Sequence, residues 1–354
     1  MTKKIIKGIF VFLAIAATLT VIILGILFAA RLLLVFEDDT NVSALDRFSE
    51  STDYTEIEED VLLNVLVMGR DEASGLCDML MLVSYNMTAE KVNVLQIPRD
   101  TYAEYTSGNY RKINGAVSAL GGEEKLCDFL SKAICVDIDY YLSLDLDVLG
   151  KVVDVIGGVE VNIPFDMNYD DPTQGLSIHL KKGKILLDGD MARQFVRYRS
   201  GYAEGDLGRI DAQKIFLAAL VKKLKSEGSL FEISAIATSI IGDVKTNIPI
   251  SNVIFLVKQA FSVSPQNIKF VTLAGEGAVA KASGASYYVL SRPSTVEIVN
   301  EFFGAQADEN SFDKERVFLN EKYASFSDIY YSKAEYEVYD ASALMSDGID
   351  IARR

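Results

Sequence analysis

Three short apolar runs lie close together near the start of the globular part of this chain: Leu62-Leu63-Asn64-Val65-Leu66-Val67-Met68, Met79-Leu80-Met81-Leu82-Val83 and Val92-Asn93-Val94-Leu95. None alternates strictly between apolar and polar residues, as a half-exposed strand does. Each therefore reads as a strand covered on both faces, and together they predict a sheet with helices on each side. Each run also meets charge at one end. Gly69, Arg70 and Asp71 follow the first, Asp78 precedes the second, and Gln96-Ile97-Pro98-Arg99-Asp100 follows the third. In open α/β sheets ligands bind in the crevice beyond the strand ends. Pro98 fixes its own φ and cannot donate to a ladder, so it stops the third strand at a defined point. Asp71, Asp78 and Arg99 then form a candidate site at one sheet edge, with a solvated Pro-Arg-Asp turn as the alternative.

The 354 residues also contain a run without charge, from Gly8 to Ala30. It is long enough to cross a hydrocarbon core of about 30 Å. It exceeds the roughly 7–15 apolar residues of a signal-peptide core, so an uncleaved anchor is expected, with cleavage after Ala29-Ala30 as the alternative. Lys3, Lys4 and Lys7 place the N-terminus in the cytoplasm and the bulk of the chain outside. The expected organisation is a cytoplasmic tail at 1–7, a transmembrane helix at 8–30 and an extracellular stalk at 31–60. A catalytic domain at 61–305 and a polar, Tyr-rich tail at 306–354 complete it. The stalk is expected because Glu37 to Asp60 is acidic, Ser/Thr-rich and aperiodic.

Hydrophobic content of 49% with 24% charged residues suits a domain with a sizeable core. A net charge of −15 argues against a nucleic-acid partner. Cys77, Cys127 and Cys135 have neither the density of a disulfide scaffold nor zinc-site spacing; a Cys127–Cys135 bridge is the minor alternative to free thiols.

Further along, Glu123 to Ala133 reads as a helix. Val152 to Ile156 reads as another, stopped by Gly157-Gly158 and followed by a strand, because glycine tolerates the left-handed conformation of a helix end. Pro164 to Ser177 reads as a polar loop. Its Asp166, Asp170 and Asp171 lack the regular spacing of a calcium loop and are expected to be solvated. If Phe195 to Arg199 is extended, Arg197 and Arg199 share one face. Gly205-Asp206-Leu207-Gly208-Arg209 begins a helix whose Leu207, Ile210, Leu217, Val221 and Leu224 follow helical spacing. Arg209 falls in its first turn, where backbone N–H groups already favour an anion. Asp206 reads either as a site residue or as a simple N-cap.

Several chemistries are excluded. His179 is the single histidine, in a strand-like run, and no Gly-x-Ser-x-Gly elbow occurs, so a triad or a His-based zinc site lacks its parts. Phosphate-loop and dinucleotide fingerprints are absent. Carboxylates and arginines remain. Asp71 and Asp78 suit a hard cation such as Mg²⁺, and Arg99, Arg197, Arg199 and Arg209 supply planar forks for phosphate. Together they describe a diphosphate site outside a membrane.

The ordered motifs from Leu62 to Phe303 resemble the LytR-CpsA-Psr proteins of mainly Gram-positive bacteria. They are Gly69-x-Asp71, Asp78-x-x-x-Leu82, Ile97-Pro98-Arg99-Asp100, Lys112-Ile113-Asn114, Val153 to Val161, Leu187-x-Gly189, Arg197-Tyr198-Arg199 and Gly205-Asp206-x-Gly208-Arg209. The resemblance implies an α/β/α sandwich with a central mixed sheet and an interior that holds a polyprenyl chain. It implies a membrane-anchored phosphotransferase that moves a glycopolymer from a polyprenyl-diphosphate carrier to a peptidoglycan hydroxyl. By the same resemblance Asp71 and Asp78 bind Mg²⁺, and Arg99, Arg197, Arg199 and Arg209 grip the diphosphate with Lys112 and Gln213 beside them. Asp78, Asp71 and Asp206, in that order, are the candidates for the base. Two departures stand out: Leu76 and Ala212 occupy positions where members usually carry Arg. They keep open a polyprenyl-diphosphate hydrolase, which would use the same anion site, and a non-catalytic lipid-binding or regulatory member.

Overall fold

The computed structural model describes residues 61–346, apart from 72–74, 107–108, 173–174, 228–239, 241–242, 250–251, 253–262, 282, 313–315 and 319–332. The chain divides into two units, Met1–Arg47 and Phe48–Arg354, and the described residues fall in the second. The expected anchor at 8–30 and stalk at 31–60 lie outside them. Among the described residues no helix is long and apolar enough to cross a membrane.

The first strands are β1 (Leu62–Arg70), β2 (Cys77–Asn86), β3 (Lys91–Gln96), β4 (Tyr102–Thr106) and β5 (Asn109–Lys112). Helices α1 (Ala116–Leu120) and α2 (Glu123–Ile134) lead to β6 (Tyr140–Asp145) and α3 (Leu146–Val155). Strands β7 (Val159–Ile163), β8 (Met167–Asp171), β9 (Leu176–Leu180) and β10 (Gly183–Leu187) precede α4 (Gly189–Arg197) and the long α5 (Asp206–Glu227). The chain continues through β11 (Val244–Thr246), β12 (Ile268–Thr272), β13 (Gly275–Val279), β14 (Ser286–Leu290), α6 (Arg292–Phe303), β15 (Val338–Asp340) and α7 (Ala341–Ser346).

Seven strands form the central sheet in the order β11-β6-β1-β2-β3-β12-β15. The β1/β6 and β3/β12 pairs are parallel and the others antiparallel, so the sheet is mixed. The apolar runs bury both faces, as their lack of alternation requires. Leu66, Met68, Leu80, Leu82 and Leu95 enter one continuous core with residues of α1, α2 and α6. Met81, Val83, Val92 and Val94 face the other way, toward Leu217, Leu220, Val221 and Leu224 of α5. Helices thus flank the sheet on both sides.

Two expectations need correction. Pro164 to Ser177 is no open loop, because β8 and β9 pair as an antiparallel hairpin that buries Met167, Ile178 and Leu180. Its aspartates serve the hairpin: Asp170 accepts from Ser177 Oγ and meets His179, and Asp166 pairs with Lys181. Residues 306–354 are more than a polar tail. Ala307, Phe312, Val317 and Phe318 complete the core, and β15 adds the seventh strand. All three cysteines are free.

Candidate active site

The β1–β2 corner contains a bulge. Gly69 pairs with Met79 and Arg70 with Cys77, so Asp78 is an extra residue without a partner across the ladder. Such insertions re-aim side chains, and here the alternation reverses. Cys77 joins Leu80 and Leu82 in the core against α2, while Asp78 meets Arg209 of α5 on the opposite face, with Nη1 3.8 Å from Oδ1. Asp71 stays at the same corner, held by its N–H donating to Leu76 O at 2.9 Å.

The Arg99 loop is fixed from three directions. Thr101 donates to Pro98 O through both N and Oγ1, Asn114 N donates to Arg99 O at 3.1 Å, and Tyr288 N donates to Asp100 O at 2.9 Å. This rigid setting removes the solvated-turn alternative. The Arg99 guanidinium donates to Asp78, and its Nε lies 3.7 Å from Asp100 Oδ1 and 3.8 Å from Asp206 Oδ1. Burial alone would lower its pKa; Asp78, Asp206 and Asp100 outweigh that and raise it. Lys112, at the end of β5, reaches Asp100 Oδ2 at 2.9 Å.

Helix α5 brings the remaining members. Gly208 is required because a Cβ there would collide with the Tyr202 ring, which lies against the first turn. The Arg209 side chain is 3% exposed, and its Nη2 is 2.7 Å from Asp206 Oδ1. Burial lowers its pKa; Asp206 and Asp78 oppose that, and Arg99 and Arg199 add to it. Despite the short approach, neither Asp206 oxygen sits in line for a hydrogen bond. Both are buried without a hydrogen-bond partner, as are Arg99 Nε, Asp100 Oδ1 and Arg209 Nε. Asp206 is the first helical residue and its side chain caps nothing, so the N-cap alternative fails. Buried polar atoms are nearly always paired. Asp206 Oδ1, Arg99 Nε and Asp100 Oδ1 are held by ion pairs rather than hydrogen bonds, which leaves bonding capacity in the cluster for a polar ligand.

The extended reading of Phe195 to Arg199 also fails. Asp188 caps α4 by accepting from Met191 N, Ala192, Phe195 and Val196 bury its inner side, and the helix runs to Arg197 before Tyr198 turns extended. Arg197 and Arg199 nevertheless border the cluster. Arg197 Nη2 is 3.7 Å from Asp71 Oδ2, and Arg199 is close enough to depress Arg209. Gln213 is buried and donates to Val196 O at 3.2 Å, tying α5 to α4. Arg70 points to the far face and pairs with Glu123 at 3.3 Å, so Lys112 is the cation better placed to offset Leu76. Ala212 is fully buried.

Two members were not singled out from sequence. Asp100 bridges Arg99 and Lys112, and its signal was its place in the Pro-Arg-Asp stretch. Gln96 is buried and donates a long hydrogen bond, 3.5 Å, to Ile210 O of α5. A glutamine at a strand end carries no motif that marks it.

Beyond the cluster the same elements turn apolar. Met81 and Val83 of β2, Val92 and Val94 of β3, Ile268 and Phe270 of β12 and Leu217 to Leu224 of α5 line a cavity of about 270 Å³. At 1.5 Å per residue, α5 carries this wall to about 22 Å beyond Arg209. No cluster of three or more His, Cys, Asp or Glu forms a metal cage among the described residues. Asp71 and Asp78 are carboxylates of the kind that Mg²⁺ takes in ones or twos together with substrate phosphates, and both are ion-paired with arginines.

The fold and site define an α/β protein in which the same elements carry an arginine–aspartate cluster and wall an apolar cavity. Residues 36–303 match the LytR_cpsA_psr family, and the chain belongs to it. It is 30% identical over 260 residues to the polyisoprenyl-teichoic acid–peptidoglycan teichoic acid transferase TagU of Bacillus mycoides strain KBAB4, covering 72% of this chain and 83% of that protein. The crystal structure of Bacillus subtilis TagV is similar with TM-score 0.59 and 27% identity, over 70% of this chain and 98% of that one. A Streptococcus agalactiae protein, gbs0355, shares the fold with TM-score 0.65 at 21% identity, over 77% and 97% of the two chains.

Proposed function

We propose that this chain is a membrane-anchored phosphotransferase that moves a glycopolymer from a polyprenyl-diphosphate carrier to a peptidoglycan hydroxyl. The observation that carries this reading is the Arg99–Asp78–Asp206–Arg209 cluster on β2, the β3 end and α5, elements that also wall an apolar cavity. The cluster suits a diphosphate and the cavity a hydrocarbon chain. The names of the relatives, teichoic acid transferases acting from polyisoprenyl carriers, support the same substrate class.

Without ligand, the arginines are neutralised by aspartates. An arriving diphosphate offers Arg99, Arg197, Arg199 and Arg209 better bidentate partners, with Lys112 beside them. Asp71 and Asp78 would hold Mg²⁺, which when bound neutralises charge on the phosphoryl oxygens. Arg99 and Arg209 hold the transferred phosphate in line and offset charge growing on the leaving oxygen. Asp78 and Asp206 are each engaged by two arginines and Asp71 by one. Asp78, Asp71 and Asp206 stay the candidates for the acceptor of the hydroxyl proton. Residues 8–30 serve as the anchor, with the catalytic domain outside the cell.

The test supplies the full chain with a labelled polyprenyl-diphosphate saccharide and peptidoglycan, with Mg²⁺ or with chelator, beside Arg99→Ala. Label on peptidoglycan that needs both metal and Arg99 is expected. Release of label to water would convert the reading to a hydrolase. Bound but unturned lipid, indifferent to chelator, would leave a binding protein and make Leu76 and Ala212 the cause to pursue.

A further inference from the structure

The family match ends at residue 303, yet the chain beyond it returns to the two walls of the apolar cavity. Strand β15 pairs with β12, placing Val338 opposite Val271, Tyr339 opposite Phe270 and Asp340 opposite Lys269. Asp340 then accepts from Ala343 N at 2.7 Å and from Ser342 Oγ, which starts α7. Helix α7 buries Ala341 and Leu344 and packs on α5. Since β12 supplies Ile268 and Phe270 to the cavity and α5 supplies Leu217, Leu220, Val221 and Leu224, residues 338–346 tie together two elements that wall it, without lining it themselves.

The contact on α5 is chemically specific. Lys214 is only 3% exposed; its Nζ lies 2.9 Å from Asp211 Oδ1 and 5.3 Å from the centre of the Tyr339 ring. Simple coverage of a helix flank needs only apolar side chains. A buried charge is costly unless paired, and in return it fixes direction and register. In the sequence of α5, Lys214 lies between Arg209 of the charged cluster and Leu217 of the cavity wall.

We propose that residues 338–346 are a strap that sets the width of the apolar cavity, with Lys214 and Tyr339 as positioning residues for the bound prenyl chain. This rests on the reading of the cavity as the lipid's seat. Cavity width governs how tightly a prenyl chain is gripped, so the strap controls retention of the lipid rather than the phosphoryl chemistry.

The experiment loads the full chain with a fluorescent polyprenyl phosphate and follows its release, alongside amide exchange of α5 and α2. Tyr339→Ala and Lys214→Met are expected to speed release about five- to tenfold, the scale of a lost buried cation–ring contact. Amides of α5 should exchange faster while those of α2 stay unchanged, which separates a loosened strap from general destabilisation. Tyr339→Phe, which keeps the ring, should restore wild-type release. Lys333→Met, which breaks an exposed pair with Glu297, should change nothing. Wild-type release and wild-type α5 exchange in Tyr339→Ala would overturn the strap. If the unaltered protein retains no polyprenyl phosphate, the lipid reading falls by itself. The α5 exchange then decides the strap, faster exchange supporting it and unchanged exchange removing it.

Discussion

The two faces of the central sheet are built from the same strands and put to opposite uses. On one face Leu66, Leu80, Leu82 and Leu95 meet α1, α2 and α6 in a filled core. On the other, Met81, Val83, Val92 and Val94 meet α5 across a cavity, and β2 and α5 also carry the Asp78–Arg209 pair. Alternate residues of one strand thus answer to different demands, packing density on one side and accessible volume on the other. The bulge at Asp78 is the hinge of this arrangement, since it lets a carboxylate reach the hollow side from a strand whose pleat would have sent it into the core.

The contrast predicts that damage on the two faces will appear in different measurements. The largest effect belongs to the charged head: Arg99→Ala should reduce transfer by about 10²- to 10³-fold, the range for loss of one preorganised charge-stabilising group. Its unfolding free energy should fall by no more than about 1–3 kcal/mol, the scale of a hydrogen bond to a charged group. Steady-state transfer and denaturant melts on one preparation check both numbers. Equal losses in the two would mean that Arg99 holds the fold rather than the substrate.

Next in size is a neighbouring pair on β2. Leu82→Ala, on the filled face, should cost about 2–5 kcal/mol, because it removes fully buried methyl groups and leaves a void. Val83→Ala, on the hollow face, should cost under about 1.5 kcal/mol, since the lost atoms already border space. Denaturant unfolding distinguishes them. Similar costs would show that the cavity is closed by packing in solution.

Most of this architecture is legible in the sequence, for identifiable reasons. Unbroken apolar runs reveal strands covered on both sides, and charges at run ends locate the site edge. Asp78 pairs with Arg99 and Arg209, and Asp71 pairs with Arg197. What stays hidden is set partly by a helix cap upstream and partly by contacts distant in the chain. Arg197 ends a helix because Asp188 caps it, a local preference that overrides the alternation of Phe195 to Arg199. Asp100 looks like half of a turn until Lys112 arrives from β5. The segment after 303 looks like a polar tail because its apolar residues follow no period, yet Phe312 and Phe318 join the core and Tyr339 meets Lys214.

A smaller effect tests volume directly. Val94→Phe points a ring into the cavity and should leave stability within about 1 kcal/mol, because space is available for the added atoms. Affinity for a polyprenyl phosphate should fall several-fold, measurable by fluorescence titration. The mirror substitution at the adjacent position, Leu95→Phe, enters the filled core and should cost about 1–3 kcal/mol by overpacking while sparing affinity. An unchanged affinity in Val94→Phe would place the lipid elsewhere.

The smallest effect reads the bulge itself, through the residue next to Asp78. Burial pushes the Cys77 thiol up to about 12; Arg70 opposes the rise, and Asp78 and Glu123 add to it. Since only the thiolate reacts, the ionised fraction at pH 8 is about 10⁻⁴. Cys127 is likewise pushed up to about 12 by burial, whereas Cys135 is only partly covered. A maleimide at pH 8 should therefore label Cys135 in the native protein, and Cys77 and Cys127 only after denaturant is added. Because the thiol pKa is raised, native labelling of Cys77 should climb as pH rises toward 12, and lowering the pH should never expose it. With ordinary alternation through the corner, Cys77 would instead face the diphosphate site. It would then be labelled in the native state and protected by a polyprenyl diphosphate. That protection pattern, read by mass spectrometry of the labelled peptides, would remove the bulge and with it the reason Asp78 meets Arg209.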